Sequence, residues 1–189
     1  MRSGSICVVA FDPGGHTGWA ALQGDLMIAD GVTELYTRGI VQGQLPETAG
    51  VRDHHLALWN LLGNLHAANY VIIMESFEYR REQRDNVVLV SKEYIGVAKL
   101  FVQERNATLP DEAKIVYVEQ TAATGKGFWY PKVPGKKDAW DGSKLKAVGL
   151  YNPTTEGRHR NDATAHLLHW LTFGPFNRKE YLQQLKDLD

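Results

Sequence analysis

Cysteine is nearly absent: the 189 residues include one, Cys7. An intrachain disulfide is therefore excluded, and so is a zinc site built from cysteine pairs. Long apolar runs are missing too. None approaches the ~20 residues that span a bilayer, so no membrane is expected among the partners. The opening run in MRSGSICVVAFD is too short for the core of a signal peptide, and no small-residue cleavage site follows it. A cytoplasmic setting is the expectation. An excess of one charge is also lacking. The formal net charge is -1, which argues against a generic polyanion binder. Repeats, low-complexity tracts and linkers are absent as well, so residues 1–189 read as a single domain long enough to bury a real core.

The charge that is present is unevenly placed. Lys126, Lys132, Lys136, Lys137, Lys144 and Lys146 fall within one stretch against Asp138 and Asp141, and Arg80, Arg81 and Arg84 form a second basic cluster. Between the lysines stand Phe128, Trp129, Tyr130 and Trp140. Lysines that track phosphates beside aromatics that stack on bases suit nucleic acid. The competing reading is a solvated loop whose aromatics anchor in the core.

Hydrophobic periodicity gives the order β-β-β-α-β-α-β-loop-α. ICVVAF (6–11) is a buried strand, and TGWAALQ (17–23) is its hairpin partner after the Pro13-Gly14-Gly15 turn. Residues 38–45 form a third strand. Leu58, Leu61, Leu62 and Leu65 recur at helical spacing over 50–66. YVIIME (70–75) is a fourth strand, 86–106 an amphipathic helix, and KIVYVEQ (114–120) a fifth strand. Residues 121–142, rich in Gly, Pro and Lys, read as a loop. TTEGRHRNDATAHLLHWLTFG, after Pro153, reads as the last main helix, with a start only near Gly157 as the alternative. Strands interleaved with helices, opened by a hairpin, imply an α/β fold with a mixed sheet.

Two strands end in a carboxylate, Asp12 and Glu75. Sites in open α/β sheets form at the carboxyl ends of strands. If the two strands are neighbours, the anions converge, and they need a cation between them or a shifted pKa. In RHRNDATAHLLHW, His159 and Asp162 are three residues apart and share a helix face. Three carboxylates and an imidazole suit hard divalent ions, and such a set fits two-metal phosphodiester hydrolysis. The alternatives are a turn role for Asp12 and a solvated Glu75 or His159. Asp138 and Asp141 form a rival Asp-x-x-Asp. His54 and His55 read as a solvated helix face, His16 as a turn residue, and His166 and His169 as packing or surface.

The succession FDPGGHTGWA, IIMES and HRNDA, from about residue 6 to 173, resembles the RuvC-like family of Holliday-junction resolvases within the ribonuclease H-like superfamily. The resemblance implies a mixed five-stranded sheet flanked by helices. It also implies nicking of branched DNA, resolving four-way junctions by paired symmetric cuts as a homodimer. Asp12, Glu75, His159 and Asp162 match the family's catalytic and metal-binding positions; the metal would be Mg2+, with Mn2+ able to substitute. A phage-type member, acting in a bacterial or phage-infected cytoplasm, fits the small size. Where the family carries an aromatic three residues past the strand-four Glu, this chain has Glu78, flanked by Phe77 and Tyr79. Those two, with Arg80, Arg81, Arg84, Lys126, Trp129, Lys132, Lys136 and Lys137, are the expected DNA contacts. The alternatives are a ribonuclease H-like nuclease acting on flaps or RNA–DNA hybrids, or an actin- or sugar-kinase-like ATP-binding protein. The latter would need a second lobe that a chain this short lacks.

Overall fold

A computed structural model describes residues 3–29, 32–46, 51–76, 85–129, 142–154 and 157–174. Five strands, β1 (Gly4–Asp12), β2 (Gly18–Ala29), β3 (Val32–Gln44), β4 (Asn69–Glu75) and β5 (Val116–Gln120), form one sheet in the order β3-β2-β1-β4-β5. The β1–β2 and β2–β3 pairs are antiparallel, whereas β1–β4 and β4–β5 are parallel. The mixed five-stranded sheet expected from the sequence is therefore present. The second and third strands run well past the 17–23 and 38–45 predicted for them, because each continues the hairpin beyond its apolar stretch.

Helices α1 (Val51–Asn64) and α2 (Asp85–Asn106) cover one face; α5 (Gly157–Phe173) covers the other. Alternation along the strands assigns the residues. Cys7, Val9 and Phe11 pack with Tyr70, Ile72 and Met74 under α1 and α2, while Ile6, Val8 and Ala10 pack with Val71 and Ile73 under α5. The central strand β1 is buried on both faces, which explains its unbroken apolar run. Cys7 is plain core, with its thiol pushed up to about 12 by burial.

One predicted loop is partly helical. Residues 122–129, placed in the 121–142 loop by their Gly content, form α3 (Ala122–Trp129), and a short α4 (Ser143–Ala147) follows. Thr121 caps α3: its Oγ1 accepts the Thr124 N–H at 3.1 Å. Two glycines in eight residues disfavour a free helix by roughly 1 kcal/mol each. Packing against α5 supplies what propensity does not. An added Cβ on Gly125 would meet the His166 ring at 1.9 Å, so only glycine lets the two helices approach this closely.

Candidate active site

The carboxylate convergence follows from strand parity. Asp12 ends β1 two residues after Ala10, so it points to the α5 face. Glu75 ends β4 two residues after Ile73 and points the same way. Phe11 lies opposite Met74, so Asp12 and Glu75 end adjacent parallel strands side by side. Gln120 ends β5 directly opposite Glu75. The turn after Asp12 is held from two sides. Thr17 Oγ1 donates to Gly14 O at 3.1 Å, and Ser91 of α2 donates to Pro13 O at 2.8 Å. Gly14 and Gly15 do not take left-handed backbone. Their contribution is space: an added Cβ at Gly15 would meet nothing within 4 Å.

The third and fourth ligand candidates come from α5. Its first turn lies on β2 at Gly18, where an added Cβ would come within 2.2 Å of the His159 carbonyl. Asn161 ties the preceding loop down: its Oδ1 accepts from Asn152 N at 2.7 Å and its Nδ2 donates to Asn152 O at 2.8 Å. The helix therefore starts over the strand tips. His159 Nδ1 lies 2.6 Å from Asp12 Oδ2, and Asp162 shares the approach to the same point. Asp12, Glu75, His159 and Asp162 thus lie together at the strand tips.

At that point sits a cation, the ammonium of Lys126 from α3. Its Nζ lies 2.8 Å from Glu75 Oε2, 2.9 Å from Asp162 Oδ2 and 3.3 Å from Asp12 Oδ1. Lys126 was expected to meet DNA phosphate; instead it fills the carboxylate cluster. Burial alone would lower its pKa, but the three anions outweigh burial and raise it. Burial pushes the Asp12 carboxyl up, despite the His159 hydrogen bond and Lys126. Burial also opposes ionisation of Glu75, yet hydrogen bonding from His166 and the charge of Lys126 prevail and hold it low. The Asp12 hydrogen bond raises the pKa of His159 against the effect of burial.

Two participants escaped the sequence reading. Sequence reads His166 as packing or surface; it is fully buried, with Nε2 2.9 Å from Glu75 Oε2 and Nδ1 2.9 Å from Gln120 Oε1. Its spacing was the available signal: 159, 162 and 166 recur on one helix face. Gln120 was visible only as the last residue of a strand.

The remaining expected contacts divide. Phe77, Tyr79, Arg80, Arg81, Arg84, Lys132, Lys136 and Lys137 lie outside the described residues, as do Asp138 and Asp141. Trp129 packs against Leu145 and Ala165, so its ring serves a small core, while the adjacent Phe128 is exposed under the Lys144 ammonium at 3.7 Å. His54 and His55 sit on α1, where His55 pairs with Glu93 of α2, away from the strand tips.

Among the described residues, no group of three His, Cys, Asp or Glu side chains is arranged to hold a metal ion. The donor set nevertheless fits one. Three carboxylates already converge on a single positive centre, and hard oxygen donors are what Mg2+ and Mn2+ take.

No protein-family model and no curated protein sequence matches the chain. Solved structures do. Thermus thermophilus RuvC in complex with its Holliday-junction substrate superposes with a TM-score of 0.56 at 13% identity, over 87% of this chain and 92% of that one. A second Thermus thermophilus RuvC structure gives 0.50 at 15% identity, over 89% of this chain and 96% of that one. At these identities the likeness is one of fold, and the fold is ribonuclease H-like.

Proposed function

We propose that this chain is a divalent-metal-dependent endonuclease that nicks branched DNA, resolving four-way junctions by paired symmetric cuts as a homodimer. One observation carries the reading: Asp12, Glu75 and Asp162, distant in sequence, gather around a single cation at the carboxyl edge of a RuvC-like sheet. The Thermus neighbour was solved with a Holliday junction, and the order of the carboxylate motifs here matches the resolvase pattern.

Each residue has a role that its surroundings support. Asp12, Glu75 and Asp162 would hold Mg2+, or Mn2+ in its place. The chemistry such an ion would supply when bound is activation of water and stabilisation of the leaving oxygen of a phosphodiester. His159 sits at the open side of Asp12, where a half-exposed imidazole can orient the attacking water and take its proton. The open space at Gly15 leaves room for a sugar-phosphate backbone beside Asp12. A twofold junction is matched by a C2 dimer, the commonest oligomer.

The test is Asp12→Asn, assayed against four-way junction, flap, fork and RNA–DNA hybrid substrates with Mg2+. The variant is expected to bind the junction and leave it uncut, as does the wild type with a chelator. The wild type should cut the junction at symmetric positions. Cleavage surviving in Asp12→Asn, or hybrid cleavage outrunning junction cleavage, refutes the assignment.

A further inference from the structure

The role of His166 goes beyond the four residues that the resolvase pattern supplies. It rides on α5 one turn after Asp162, has no exposed surface, and places both ring nitrogens against the ends of two neighbouring strands. A carboxylate only accepts hydrogen bonds, so the Nε2 that faces Glu75 carries a proton. The Gln120 amide at Nδ1 serves either state of the ring, because turning it over exchanges its oxygen for its NH2. Gln120 is itself fixed, as the strand partner of Glu75 and as the residue whose carbonyl accepts the Ser76 N–H at 2.7 Å. The ring is also walled by α3, since a Cβ on Gly125 would collide with it.

From this we infer that His166 is a positioning residue: anchored by Gln120, it fixes the Glu75 carboxylate from inside the protein in the orientation that receives a metal ion. The inference rests on the reading of Glu75 as a metal ligand. Lys126 and His166 hold the same oxygen, Glu75 Oε2. With a metal in place of the ammonium, the bond from the buried imidazole would still hold Glu75. Hydrogen-bond partners of metal ligands typically contribute about 10–100-fold to metal affinity.

Substitutions at His166 separate this role from space filling. In His166→Gln the amide nitrogen can reach the place of Nε2 and keep the bond to Glu75. In His166→Asn the side chain reaches the place of Nδ1 and loses it. In His166→Leu both bonds are gone and the volume is kept. Mn2+ binding to the full chain, read by electron paramagnetic resonance of the free ion, is expected to weaken roughly 10–100-fold in His166→Asn and His166→Leu, and less than about threefold in His166→Gln. Junction binding in chelator should match wild type in all of them. Equal losses in His166→Gln and His166→Leu would assign the ring to packing and overturn the inference, as would wild-type affinity in His166→Leu. Gln120→Met removes the anchor without opening the core, so it serves if the His166 variants fail to fold. A loss of more than about threefold is expected there, and unchanged affinity overturns the anchoring. A Glu75→Gln control that binds Mn2+ as wild type does, or a wild type that binds none, overturns the ligand reading itself.

Discussion

Lys126→Met is the perturbation whose consequences can be worked furthest. In the wild type the ammonium lies 2.8–3.3 Å from three carboxylates, and its side chain is 16% exposed. At an effective dielectric near 20, each contact is worth about 5 kcal/mol of gross Coulomb attraction, and several kcal/mol of desolvation per ion offset much of the sum. Removing one partner from such a buried set typically costs about 3–5 kcal/mol, because the remaining charges stay uncompensated. Protonation limits the cost here. Asp12 already has its carboxyl pushed up to about 6, chiefly by burial, so without the lysine it takes up a proton readily at neutral pH. The lower end of that range is therefore expected. For a domain of this size, about 3 kcal/mol corresponds to a fall of roughly 6–12 °C in melting temperature. Mn2+ should then reverse the order of response. It must displace the ammonium in the wild type but only a proton on Asp12 in Lys126→Met, so the variant should bind it more tightly. At an ion concentration 100 times the dissociation constant, binding adds about 2.7 kcal/mol of stability. Thermal unfolding in chelator and across an Mn2+ series measures both effects. Equal stability of the two proteins in chelator, or equal stabilisation by Mn2+, would refute the reasoning.

Further outcomes follow from the same geometry. Glu75 is held near 2 against an ordinary 4.5; burial opposes this, but the His166 hydrogen bond and Lys126 dominate. A depressed carboxyl contributes stability above its unfolded pKa and loses it as pH falls through the folded one, so the stability gap between wild type and Glu75→Gln should be widest above pH ~5 and close toward pH ~2. Urea unfolding in chelator over that range checks it, and a gap that grows on acidification would contradict the sign. Gly18→Ala drives a Cβ into the His159 backbone, which cannot swing aside as a side chain would. A loss of about 1–3 kcal/mol is expected from overpacking, together with weaker Mn2+ binding because His159 and Asp162 ride on the displaced turn. Unchanged stability and affinity would show that α5 does not depend on this contact.

Much of this arrangement was legible before any coordinates. Alternation alone puts Asp12 on the face of Val8 and Ala10, and Glu75 on the face of Val71 and Ile73; the spacing of His159 and Asp162 puts both on one side of α5. These are local periodicities, fixed by the pleat of a strand and the pitch of a helix, so sequence suffices to read them. Tertiary structure decided the rest. That β4 lies beside β1 and not elsewhere in the sheet is a pairing choice, and it turns two strand-end carboxylates into one site. The helix carrying Lys126 reads as loop, since its glycines disfavour helix locally and its stability comes from contact with α5. His166 looks like an ordinary core position on an apolar helix face. Only the register of β5 against β4, which sets Gln120 opposite Glu75, supplies partners for both of its nitrogens. Sequence determined which way each group faces, because that depends on neighbours a few residues away. Which groups meet depends on packing across the fold, and only the assembled sheet and helices could settle it.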